Sequence, residues 1–89
     1  MTKISELTPV FVEFIPEVKE EGFLYVSKEF ELAIHLCPCG CKDQAVTSID
    51  EGGWDYKEDG DLVTLSPSIL NRGRCRSHYY LRENKIVWC

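Results

Sequence analysis

Residues 35–41 read His-Leu-Cys-Pro-Cys-Gly-Cys, and two further cysteines stand at positions 75 and 89. Three thiols at alternate positions cannot readily pair with one another, because a disulfide wants Cα atoms about 5.5–6 Å apart with converging Cβ vectors. The same thiols can converge on one tetrahedral ion if the chain bends between them, and Pro38 and Gly40 supply the bends. Cys75 would complete a four-cysteine site that joins distant parts of the sequence. His78 makes a Cys-x-x-His pair with Cys75 and is its rival for the fourth place. Buried free thiols acting as small hydrophobes are the plainer alternative, but so dense a cluster beside Pro and Gly speaks against it. Cys37, Cys39, Cys41 and Cys75 are therefore the expected ligands of one structural Zn2+, with Cys89 outside the set.

Two zinc chemistries fail on spacing. Nucleotide deaminases need His-x-Glu and Pro-Cys-x-x-Cys, whereas this chain has His35-Leu36-Cys37 and Pro38-Cys39-Gly40-Cys41. Metallopeptidases built on His-Glu-x-x-His need two histidines four apart. Here His35 and His78 are the only histidines.

A second constellation lies downstream in Ser66-Pro67-Ser68 and Cys75-Arg76-Ser77-His78. A serine becomes a nucleophile only when a base takes its proton, and His78 is the natural base. Ser77 adjoins His78, but neighbours on an extended strand point to opposite faces. Ser68 could approach the imidazole from elsewhere in the fold. Serines after proline are more commonly caps or turn residues, so the residues alone leave catalysis open. Backbone N–H groups after Ser68, or the arginines at 72 to 76, are candidate oxyanion donors. Asp50, Glu51, Asp55, Asp59 and Asp61 could each orient a histidine, and the sequence does not choose among them.

These residues must be held by a small fold. Eighty-nine residues make one expected domain over 1–89, and so short a chain leaves a marginal core that recruits a staple. Hydrophobic residues make up 44% of the chain, which argues against disorder. The formal charge of −5 makes nucleic acid a poor partner. No apolar run approaches the ~20 residues of a membrane span, so no membrane partner is expected. Without an evident secretory signal at Met1–Glu6, the expected location is cytoplasmic, and reduced thiols fit it. Arg72, Arg74, Arg76 and Arg82 form a local basic exception, read either as a solvated loop or as a site for a carboxylate or acidic tail.

The elements read as short strands: 10–15 closed by Pro16, 23–26, 32–36, 45–49, 54–57, 62–65, 78–81 and 86–88. Asp59-Gly60 and Glu83-Asn84 mark tight turns. A helical turn is possible after Pro67. The fold class is small and mostly β: a zinc-stapled antiparallel β domain with a C-terminal hairpin, in which Trp88 packs into the core.

Taken in order, Phe14-Ile15-Pro16-Glu17, Gly22 to Ser27, the Cys37–Cys41 cluster, Trp54, Leu65 to Ile69, Cys75 to Tyr80 and Ile86-Val87-Trp88 resemble a family of small bacterial zinc-containing proteins. Its members are encoded with bacterial ubiquitin-like conjugation genes. The resemblance implies a serine peptidase that trims a ubiquitin-like precursor or removes it from targets, with that ubiquitin-like protein and its activating or conjugating enzymes as partners. It places Cys37, Cys39, Cys41 and Cys75 in the cysteine motif, Ser68 in the Pro-Ser-Ile motif, and Ser77 and His78 in the Ser-His motif. Lys42 stands where a second glycine is expected, and Asn71-Arg72-Gly73 lacks an expected tryptophan. The alternative function is a non-catalytic zinc module that binds a ubiquitin-like protein or a conjugation enzyme. A redox role would need an exposed reactive thiol outside the metal, which leaves only Cys89.

Overall fold

Short β-branched and aromatic runs separated by turn residues leave little for the backbone but ladders, and ladders are what form. The computed structural model describes residues 4–71 and 75–89. Its strands are β1 (Thr8–Phe11), β2 (Phe23–Ser27), β3 (Leu32–Leu36), β4 (Gln44–Ser48), β5 (Asp55–Asp59), β6 (Leu62–Leu70), β7 (His78–Arg82) and β8 (Lys85–Trp88). They form two four-stranded sheets, ordered β1-β2-β3-β4 and β5-β6-β7-β8, so each sheet is contiguous in sequence. No helix long and apolar enough to cross a membrane occurs among the described residues.

The antiparallel expectation holds with one exception, since β1 runs parallel to β2 with Thr8 opposite Phe23. The long connection over residues 12–22 makes that pairing possible. The first strand is also shorter than its apolar run. After Phe11 the N–H of Val12 still reaches the Val26 carbonyl (2.9 Å), but Glu13 to Ile15 leave the sheet. No helical turn follows Pro67. The chain stays extended because Ile69 and Leu70 pair with Tyr79 and His78, and a ladder to β7 satisfies their backbone better than an isolated turn would.

The β7–β8 hairpin forms where Glu83-Asn84 predicts it, with Arg82 opposite Lys85. Glu83 and Asn84 hold φ of 48° and 70°, the left-handed pair that a two-residue turn needs to match strand twist. Asn84 also anchors this turn to the next one. Its side chain accepts the Val63 N–H and donates to the Asp61 carbonyl, both at 2.7 Å.

Alternation sets the core. Val63, Leu65 and Ile69 on β6, with Tyr79 and Leu81 on β7, turn inward and share one buried cluster with Leu24, Val26 and Ala33 of the other sheet. The two sheets are joined inside by His35 Nε2 and the Tyr79 hydroxyl, 2.7 Å apart and wholly buried. Burial pushes the His35 imidazole down to about 4, so it is neutral near pH 7. Trp88 is half-buried rather than enclosed, its ring 5.4 Å from that of Tyr79. Residues 4–7 lie across both sheets: the Ile4 N–H donates to Pro38 (2.7 Å), the Leu7 N–H to Asn84 (2.7 Å), and Ser5 accepts from Ile86 (2.8 Å).

Candidate functional site

β3 ends at Leu36 and delivers Cys37 into a tight loop. The loop is closed by the Cys37 N–H on the Asp43 carbonyl (2.7 Å) and the Gly40 N–H on the Cys37 carbonyl (3.2 Å). Gly40 and Lys42 take φ of 97° and 67°, which turns the chain sharply enough for Cys37, Cys39 and Cys41 to face one point. Only glycine enters that region freely, which accounts physically for a glycine expectation at position 42. Cys75 arrives from the segment before β7. The four Sγ atoms lie within 4.8 Å of one another, and three of the separations are 3.5 Å. Sulfurs at tetrahedral corners around zinc at about 2.3 Å sit about 3.8 Å apart, so the set has the size of a four-thiolate metal site. These four cysteines could hold a metal ion.

Hydrogen-bond donors surround the sulfurs. Cys75 Sγ accepts from Ser77 Oγ (3.2 Å) and Asn71 Nδ2 (3.5 Å), and Cys41 Sγ accepts from the Asp43 N–H (3.5 Å). Ser77 is the chief reason that the Cys75 thiol is pulled down to about 6. Burial instead pushes Cys37 up, and Cys41 up to about 12. Four thiols so close cannot all ionise by themselves, and a divalent cation would hold them all as thiolates. Asn71 was not picked out by the sequence. Its place four residues before Cys75, with Ser77 two after, was the available signal.

The serine and histidine meet on the other face. β6 and β7 pair Leu65 with Leu81 and then Ile69 with Tyr79, so residues 66–68 stand against Tyr80 alone. This bulge adds an even number of residues, so Leu65 and Ile69 both still face the core. Ser68 and Leu70 therefore share the outer face with His78, which lies opposite Leu70 and diagonal to Ser68. Ser68 Oγ lies 2.7 Å from His78 Nε2. Within the bulge, the Ser66–Pro67 peptide is cis. Ser77 is turned inward, 8% exposed, with its hydroxyl on the Cys75 sulfur. His78 is exposed and outside the cysteine cluster, and Cys89 is exposed too.

Arg72 and Arg74 lie outside the described residues. Arg82 stacks on Tyr80, 4.7 Å from the ring centre, as an ordinary surface contact. Concavities lie among the described residues as well. One of about 430 Å³ lies by the β5–β6 turn among Lys57, Glu58 and Asp59, and no serine, histidine or cysteine lines it. A smaller one of about 210 Å³ is lined by Gly52, Gly53, Trp54 and Pro67, the residue that precedes Ser68 in β6.

A profile of the bacterial ubiquitination-like system serine protease family (BubE) matches residues 11–89. The chain belongs to that family. The matched span takes in the cysteine cluster, Ser68, Ser77 and His78, and the family's name sets the chain in a bacterial ubiquitination-like system. No curated protein and no solved structure matches significantly.

Proposed function

We propose that this protein is a serine peptidase that trims or deconjugates a bacterial ubiquitin-like protein, with Ser68 as nucleophile and His78 as general base. The 2.7 Å contact between Ser68 Oγ and His78 Nε2 carries the reading, because it lies within the reach that proton abstraction requires. In the neutral imidazole with its proton on Nδ1, Nε2 accepts the Ser68 proton as Oγ attacks the carbonyl carbon. The same nitrogen then returns it to the departing group. Oxyanion hydrogen bonds would come from backbone N–H groups on the open edge of β6, Ser68's own among them. Ser77 has no part in bond-making on this reading, because its hydroxyl supports the Cys75 sulfur.

Cys37, Cys39, Cys41 and Cys75 would hold Zn2+ with all four positions filled by protein, which suits a structural ion. Its contribution is to fix Cys75, and with it the start of the strand that carries His78. The partners on this reading are a ubiquitin-like protein of the bacterial ubiquitination-like system and the activating or conjugating enzymes that meet it.

One observation favours the second reading, a non-catalytic zinc module that binds the same partners. Among the described residues, no hydrogen bond or ion pair joins His78 to a carboxylate of the kind that orients the base in serine triads. Mass spectrometry of the ubiquitin-like protein after incubation decides between them. A mass loss that vanishes in Ser68→Ala supports the peptidase. Stable complex formation with no change in mass supports the module.

A further inference from the structure

β5 stops one step too early to cover the strand that carries Ser68. Its first residue, Asp55, pairs with Ser66. The chain before it turns away because Trp54 donates its N–H to Ser48 (2.7 Å) and Gly53 to Asp50 (3.0 Å). β6 nevertheless continues to Leu70. Which of its groups face the vacant side follows from ladder parity. The Asn71 N–H donates to Ser77 (2.8 Å), and the Cys89 N–H donates to His78 (3.0 Å), so Ser77 and Tyr79 address β6 while His78 addresses β8. Antiparallel ladders alternate, so Ile69 addresses β7 and Leu70 turns its N–H and C=O to the side that β5 has vacated. No other described strand occupies this lane, which runs along β6 past Pro67 and Ser68, and Pro67 lines the shallow pocket it shares with Gly52, Gly53 and Trp54.

The pocket itself suits an apolar side chain. An indole and a proline ring form its walls, and two glycines leave its floor without side chains. The indole Nε1 of Trp54 is buried without a partner, so the ring is held by packing and not by its polar edge. Leu70, 46% exposed beside His78, extends the apolar surface along the same edge.

We infer that the substrate binds as an added β-strand in line with β5, pairing with the backbone of Leu70 and placing an aliphatic side chain in the Gly52–Gly53–Trp54–Pro67 pocket. This rests on the peptidase reading for the identity of the bound chain, an extended segment of the ubiquitin-like protein. Main-chain pairing supplies affinity in such strand addition, and the pocket supplies selectivity. The scissile carbonyl is thereby carried along β6 to Ser68.

The test uses Ser68→Ala, which leaves the partner intact, and a ubiquitin-like protein of a bacterial ubiquitination-like system. Amide exchange and titration are measured with and without Gly52→Val. A Cβ at Gly52 meets nothing within 4 Å in this fold, whereas one at Gly53 would collide with the Ser48 carbonyl, so Gly52 is the position to fill. Expected are protection of the Leu70 amide in the complex and a Kd raised at least about tenfold by Gly52→Val, the scale on which apolar pockets sense a methylene or two. Gly52→Ala should give a smaller rise. A complex that forms with the same Kd in Gly52→Val and no protection at Leu70 overturns the inference, as does absence of any complex. Cleavage by the unmodified protein is scored separately. Strand pairing without cleavage would overturn the peptidase reading and leave the docking mode standing for a bound partner that is not a substrate.

Discussion

Ser68 and Ser77 both lie close to His78, one across the β6–β7 ladder and one before it in the chain, yet they face opposite worlds. Ser77 looks inward, where its hydroxyl meets a sulfur of the cysteine cluster and the neighbouring Tyr79 reaches across to His35. Ser68 looks outward, where its hydroxyl meets an exposed imidazole. Ser77 immediately precedes β7, one position before His78, and neighbours on an extended chain serve opposite faces. On the proposed reading, stability is concentrated on the closed face and chemistry on the open one, so the two should come apart under mutation.

The largest break should come on the closed face. Structural zinc contributes roughly 10–16 kcal/mol of folding free energy in small peptides, as much as a whole domain's stability. Chelation, or Cys75→Ser, should therefore unfold the protein, seen as loss of near-ultraviolet circular dichroism in step with metal content. Folded protein free of metal would remove the division at its root.

The paired serine variants sharpen it. Ser68→Ala should lower cleavage of the ubiquitin-like partner by about a thousandfold or more while moving Tm by only a degree or two. Ser77→Ala should weaken metal binding by about 10–100-fold, as loss of a donor to a ligand does. At saturating zinc its cleavage should stay within a few-fold. Exchange of these two phenotypes would move the nucleophile to Ser77.

Smaller effects probe the closed face alone. Tyr79→Phe strips His35 Nε2 of its partner in a wholly buried position, at a cost of about 1–3 kcal/mol. Its Tm should fall by several degrees with cleavage retained, and an unchanged Tm would mean the bond adds nothing to the inner face. Lys42→Gly should raise stability by up to about 1 kcal/mol, because the left-handed backbone there strains any residue with a Cβ. A fall in Tm would show that the lysine side chain outweighs the backbone.

Much of this was legible beforehand for reasons of chemistry and period. The cysteine spacing with its Pro and Gly pointed to four thiols that come close enough to hold a metal ion, and the β-prone runs and turn pairs named the hairpins. The separation of Ser77 from His78 was readable as well, because neighbours on an extended strand point to opposite faces. What the sequence hid depends on pairing partners. Pro67 reads locally as a helix start, and only the ladder to β7 makes the segment extended. The parallel β1–β2 pair and the early end of β5 likewise depend on contacts between residues far apart, which no local pattern announces.

Each sheet is built from one uninterrupted half of the chain, β1 to β4 from residues 8–48 and β5 to β8 from residues 55–88. Across that divide run the buried cluster, the His35–Tyr79 bond, the strap of residues 4–7 and the cysteine set, three of whose members come from one half and one from the other. The protein thus consists of two sheet-forming halves held together by these four ties. Nicked in the exposed bend at Glu51–Gly52, each half would keep its full set of strands, and the two fragments are expected to reassociate through the shared core and the cysteine set.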